Sequence, residues 1–163
     1  MMRNSGIRKL VYEKLLIAVL LLLVLSATFV LYRQMADHAF VSVDDSLYVF
    51  NNDRVVSGLD PDNFTWAFQT MKAEFWHPLT WLSYMLDTEL YGVFPGGYLL
   101  TNLLLHLLNS ALVFICFRRL TGCLWESWIM SLLFAIHPLH VEPVAWVSGR
   151  KELLCACFWL LAI

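Results

Sequence analysis

Two groupings of side chains in this sequence have types and spacing suited to chemistry. The first is Asp44-Asp45, within the stretch Phe40 to Tyr48. Adjacent carboxylates beside a membrane can act as a general base toward a hydroxyl, or hold a divalent cation that neutralises a phosphate leaving group. Crowding two acids disfavours ionising both, which suits a base. The plainer alternative is an acidic turn whose aspartates cap a helix. The second grouping is His137, His140 and Glu142, followed by Arg150 and Lys151. Two imidazoles and a carboxylate so close are metal-ligand types, but the order is not HExxH and Pro138 spoils a helical i,i+3 pairing. No metal site is therefore assigned there. A phosphate-binding or hydrogen-bonding role has more behind it, because the two cations follow. The alternative is a pair of interfacial cations snorkelling to lipid phosphates.

Smaller signals lie between these two. Asn102, His106 and Asn109 recur at spacings of four and three, so they share one face of a helix. Polar groups inside a membrane face protein or a water-filled cavity. They support a substrate site or bond helices together. His77, in Trp76-His77-Pro78, is either a catalytic imidazole or a packed interface residue. Cys116, Cys123, Cys155 and Cys157 form no C-x-x-C pair and read as small buried apolar residues.

These residues are carried by an apolar chain. Of 163 residues, 60% are apolar and 15% charged, and the mean hydropathy is +0.64. That balance excludes an ordinary soluble globule and favours a membrane protein. A net charge of -2 gives no basic field for nucleic acid. Residues 1–14 hold Arg3, Arg8, Lys9 and Lys14, and read as a cytoplasmic N-terminus before a first span over 15–32. A cleaved signal peptide is the alternative; the apolar run is long for one.

Residues 33–97 hold nine acids against three bases, which fits the non-cytoplasmic side. Their aromatic-rich segments Phe64–Glu74 and Leu79–Leu90, separated by Pro78, predict two short helices at the membrane surface or a small folded cap. A second span over 98–117 ends at Arg118-Arg119, so residues 118–123 form a cytoplasmic turn. A third span covers 124–141; it either kinks at Pro138 and continues, or ends recessed in the bilayer. Residues 142–152 form a second external loop. The apolar run 153–163 is too short to span and reads as the start of a fourth helix. The chain therefore reads as the front part of a longer protein, inactive on its own.

Three runs then carry a resemblance: Glu74 to Asp87 (EFWHPLTWLSYMLD), Pro95 to Asn109 (PGGYLLTNLLLHLLN) and His137 to Glu152 (HPLHVEPVAWVSGRKE). With Asp44-Asp45 they resemble the N-terminal membrane region of bacterial multi-span proteins that carry tetratricopeptide repeats. Those are similar to the transmembrane-and-tetratricopeptide O-mannosyltransferases. The resemblance implies an all-α polytopic bundle, the N-terminal part of a GT-C glycosyltransferase fold. It implies transfer of a hexose from a polyprenyl-phosphate carrier to a hydroxyl of a protein or glycan outside the cytoplasm. It also implies a bacterial inner membrane, or the endoplasmic reticulum membrane in a eukaryote. Asp44 and Asp45 match the acidic pair of the first external loop. His140, Arg150 and Lys151 match the second loop, which holds the lipid phosphate; His77, Asn102, His106, His137 and Glu142 are supporting candidates. No cofactor is implied, although the acidic pair has room for a divalent cation. The rival class is a non-catalytic membrane scaffold with repeats downstream.

Overall fold

The computed structural model describes residues 2–163, with side chains from Arg8 onward. Met1 and the Arg3 side chain of the basic flank lie outside the described residues. Helix α1 runs Met2–Tyr32 and tightens into a 3-10 turn, Arg33–Asp37. Its 30-residue segment Arg8–Asp37 is long and apolar enough to cross a membrane. So is α5, Pro95–Thr121. Pro95 starts α5 where a missing N–H costs nothing, and Gly122 ends it at φ 71°, a left-handed conformation that glycine tolerates. Both helices extend past the apolar runs that announce them, α1 at its N-terminal end and α5 through Arg118-Arg119 to Thr121.

Helix α6, Leu124–Ile136, stops at the residue before His137-Pro138. The chain then bends by 49° into the segment Pro138–Ala145, whose second half is α7, Val141–Ala145. Pro138 removes a donor and pushes His137 out of the helical region, to ψ 131°. Helix α8, Arg150–Leu161, begins at the cation pair itself, so Arg150 and Lys151 stand on its first turn rather than in a free loop. The described chain is helical, with no strand, and carries two candidate membrane-crossing helices, or three if the bent pair is one span. It is an all-α membrane protein.

Between α1 and α5 lies a folded cap. Helices α2 (Asp53–Val56), α3 (Pro61–Gln69) and α4 (Pro78–Tyr91) pack around Trp81, Tyr84 and Met85 of α4, which are fully buried with Val49, Val55, Ala67 and Tyr98. Burying side chains of this size supplies most of the local stability. Phe64, Phe68, Met71, Phe75 and Trp76 remain exposed on the outside. Asn63 ties the α2–α3 turn: its Nδ2 donates to Gly58 O (2.8 Å) and Asp60 Oδ2 (2.6 Å). Asp60 in turn caps α3 by accepting from Asn63 N at 2.8 Å.

The second loop is as tightly held. A Cβ added at Gly149 would lie 2.6 Å from the backbone of Pro143, closer than real carbons approach. Gly149→Ala is therefore expected to cost about 1–3 kcal/mol in stability, read as a lower melting temperature in detergent. Cys116 and Cys157 are buried, but Cys123 and Cys155 are exposed. The reading of all four cysteines as buried is corrected: Cys123 lies in the turn before α6, and Cys155 faces outward on α8.

Candidate active site at the junction of the two loops

The sequence places Asp44 and Lys151 far apart; the fold brings them to one tyrosine. Asp44 is half-buried, and among the described residues its carboxylate makes no hydrogen bond. It lies one residue before Asp45, which opens the single turn of π-helix Ser46–Phe50, and the Tyr48 N–H of that turn donates to Asp44 O at 3.0 Å. The Tyr48 ring stacks on His77 (5.5 Å between centroids) and on Trp81 (5.1 Å). Lys151 Nζ sits 5.1 Å above the same ring. Burial raises the Tyr48 phenol above its ordinary value; the Lys151 charge pulls it back, and Asp44 and Glu152 push it up again. Carboxylate and ammonium thus sit within electrostatic reach of one aromatic platform.

Asp45 has a different environment. It is 1% exposed and spends both oxygens on protein donors. Oδ1 accepts from Ser148 N (3.0 Å) and Ser148 Oγ (2.5 Å), and Oδ2 accepts from Val41 N (2.8 Å). Of the acidic pair, Asp44 alone is available to a substrate. One available carboxylate is a poor chelator for a divalent cation. Among the described residues no cluster of three or more His, Cys, Asp or Glu is arranged to hold a metal ion.

Arg150 and Lys151 divide in the same way. Arg150 is fully buried. Its Nε donates to Asn102 Oδ1 (2.5 Å), and Nη2 donates to Asp87 Oδ2 and to Tyr98 O, both at 2.7 Å. Nη1 reaches Ser83 Oγ at 3.3 Å, and the guanidinium carbon lies 5.0 Å from the Tyr84 ring centroid. Every face of the guanidinium meets protein. Burial raises the Asp87 carboxyl above its ordinary value, while Arg150 and the Thr101 hydroxyl draw it back. Lys151 is only partly covered and lines a groove of about 610 Å³ with Trp76, His77, Glu152, Ala156 and Trp159. The groove carries aromatic walls, one cation and one anion.

The remaining predicted residues spread around this centre. Asn102 Nδ2 donates to Trp146 O (2.8 Å), His106 Nε2 contacts Ala135 O (3.0 Å), and Asn109 Nδ2 donates to Leu153 O (2.9 Å). All three are fully buried and join α5 to the elements around it. His140 stands 4.4 Å from Phe134 and 5.3 Å from His106, ring to ring, and with His137 it opens on a separate apolar groove of about 540 Å³ between α5, α6 and α8. That groove meets the Lys151 groove at Ala156 and Trp159. His137 Nδ1 accepts from Leu139 N at 3.3 Å. Glu142 shares a smaller cavity with Lys151 and Glu152. Sequence reasoning missed Tyr48, Ser148, Ser83 and Asp87. For Asp87 a signal exists: Ser83 and Asp87 lie four apart on one face of a helix rich in apolar residues, and such a pair, if buried, needs a partner.

His77 yields a pH prediction. Burial lowers its imidazole below the ordinary 6.5, and the Lys151 charge lowers it further. As the pH falls, the unfolded chain takes up the proton first, so stability present above 6.5 is lost as the pH drops through that value. The melting temperature is expected to fall between about pH 7.5 and about pH 5.5, and His77→Gln to reduce that fall.

Relatives are found along nearly the whole chain. It is 37% identical over 145 residues to protein O-mannosyl-transferase Tmtc2 of Drosophila melanogaster, covering 83% of this chain and 15% of that protein. The chain is similar to the TMTC family of protein O-mannosyl-transferases. Human TMTC4 is 40% identical over 101 residues, covering 53% of this chain and 14% of its own. A protein O-mannosyl-transferase of Caenorhabditis elegans is 29% identical over 178 residues, covering 99% of this chain and 23% of its own. The chain thus spans about a seventh of the length of these two TMTC relatives. No protein-family model matches the chain, and no solved structure matches it. The similarity to TMTC proteins takes in the residues around Tyr48, since a relative matches 99% of the chain.

Proposed function

We propose that the full-length protein carrying this chain transfers a hexose from a polyprenyl-phosphate carrier to a hydroxyl of a protein or glycan, on the non-cytoplasmic side of a bacterial inner membrane or the endoplasmic reticulum. The basic N-terminal flank and Arg118-Arg119 support that orientation. Asp44 is the base and Lys151 the cation that meets the phosphate. The acceptor oxygen bonds to the anomeric carbon, and its proton passes to the Asp44 carboxylate. The bond from that carbon to the phosphate oxygen breaks, its electron pair staying on the phosphate. Lys151 balances the charge that grows there. His77, a neighbour of Lys151 on the Tyr48 platform, borders the same groove.

The observation that carries this reading is that Tyr48 neighbours both the Asp44 backbone and the Lys151 ammonium, and that Lys151, though not Asp44, lines a groove that follows α8 through Ala156 and Trp159. A lipid-borne phosphate matches that arrangement: charge at one end, apolar walls along the rest. Arg150 serves the site from behind, because its guanidinium is committed to Asp87, Asn102 and Tyr98. Glycan mass spectrometry on cells with the gene deleted, restored, or restored as Lys151→Met tests the proposal. Hexose modification is expected to vanish on deletion, return with the native gene and stay about tenfold or more below it with Lys151→Met. An identical glycan profile in all three strains rejects it.

A further inference from the structure

We infer that Ser148 is a positioning residue for Asp44: reaching across from the second external loop, it clamps the Asp45 carboxylate and so fixes where the neighbouring Asp44 stands. The inference rests on Asp44 acting as the base. Asp45 and Ser148 are separated by 103 residues, yet backbone N–H and hydroxyl of Ser148 converge on one Asp45 oxygen. Both residues are buried, at 1% and 0% exposure. A buried carboxylate that lost these donors would have to find others or move.

Ser148 is itself a fixed post. On one side, Val147 O accepts from the Tyr84 hydroxyl at 2.9 Å, inside the α4 core. On the other, Arg150 is pinned to Asp87 and Asn102. Behind it, Gly149 presses on Pro143. The opposite Asp45 oxygen takes the Val41 N–H, which anchors the segment entering the acidic pair. Asp45 is thus held at both oxygens, and Asp44 is one peptide away, just before the turn that carries Tyr48. The carboxylate that takes the acceptor proton owes its place to a serine two residues before the helix that carries the phosphate-binding lysine. General-base catalysis is sensitive to such placement, because a misplacement of about 1 Å costs on the order of a hundredfold in rate.

The test uses the full natural reading frame containing this chain, purified in detergent, with radiolabelled polyprenyl-phosphate mannose as donor and a serine- and threonine-rich peptide as acceptor. Ser148→Ala is expected to lower kcat by about tenfold to a hundredfold and to leave the donor KM within about twofold. Asp45→Asn, which keeps the side-chain volume, is expected to act in the same way. The double variant is expected to be no worse than the more damaged single one, since both remove one link. The inference is overturned if Ser148→Ala keeps the native kcat, if KM rises as far as kcat falls, or if the two losses multiply. Asp44→Asn separates the levels: if it retains activity, or the native protein transfers nothing, the functional reading itself fails. If Asp44→Asn is inactive while Ser148→Ala is native, only the clamp fails.

Discussion

Arg150→Met is expected to cost the fold about 3–5 kcal/mol, enough to leave little folded protein in the membrane. The side chain has no solvent-facing role to lose; it is fully buried. What it holds explains the size of the effect. Its guanidinium joins Asp87 and Ser83 of α4, Asn102 of α5 and the Tyr98 carbonyl. Methionine matches the stem and removes the charge. Asp87 then keeps only the Thr101 hydroxyl as a partner, at 2.7 Å, and is otherwise a buried acid without a counter-charge. Breaking one partner of a buried pair is far more damaging than losing an exposed one. Asp87→Asn is expected to be milder, because Arg150 keeps Asn102 and the Tyr98 carbonyl. The check is the folded fraction by size-exclusion chromatography in detergent, with thermal melts for both variants. Similar losses from the exposed pair Arg118–Glu13 would contradict the argument.

The second large effect separates the two aspartates that stand side by side. Asp44→Asn is expected to lower transfer by about a hundredfold to ten-thousandfold while the melting temperature barely moves, since among the described residues Asp44 bonds nothing with its carboxylate. Asp45→Asn is expected to lose far less activity and more stability, because its two oxygens accept three hydrogen bonds, two of them from Ser148. Parallel measurement of initial rate and melting temperature on both variants decides it. The reverse ranking would move the base to Asp45.

The two helices long and apolar enough to cross a membrane were legible from hydropathy alone, and so was the break at Pro138, because both follow from rules acting over a few residues. A helix over 79–90 was legible too, close to the observed Pro78–Tyr91, but what it packs against was not. Trp81, Tyr84 and Met85 have the composition of a helix resting on a membrane, and the same residues serve a packed core equally well; only tertiary partners decide. Arg150 stood out as a cation where few are expected, but the phosphate-binding role read for it is corrected: it is fully buried on Asp87, Asn102 and the Tyr98 carbonyl. Which of Arg150 and Lys151 faces a ligand could not be read, because one residue of helical rotation turns one into the core and leaves the other beside Tyr48. Ser148 left no trace in the sequence: a serine before a glycine is ordinary, and its partner is 103 positions away.

The brevity of α6 has a consequence for the membrane itself. Its 13 residues measure about 20 Å, some 10 Å less than the hydrocarbon slab is thick. It makes up a candidate crossing only together with Pro138–Ala145 beyond the 49° bend, and a short, bent stave of that kind is matched by locally thinner lipid.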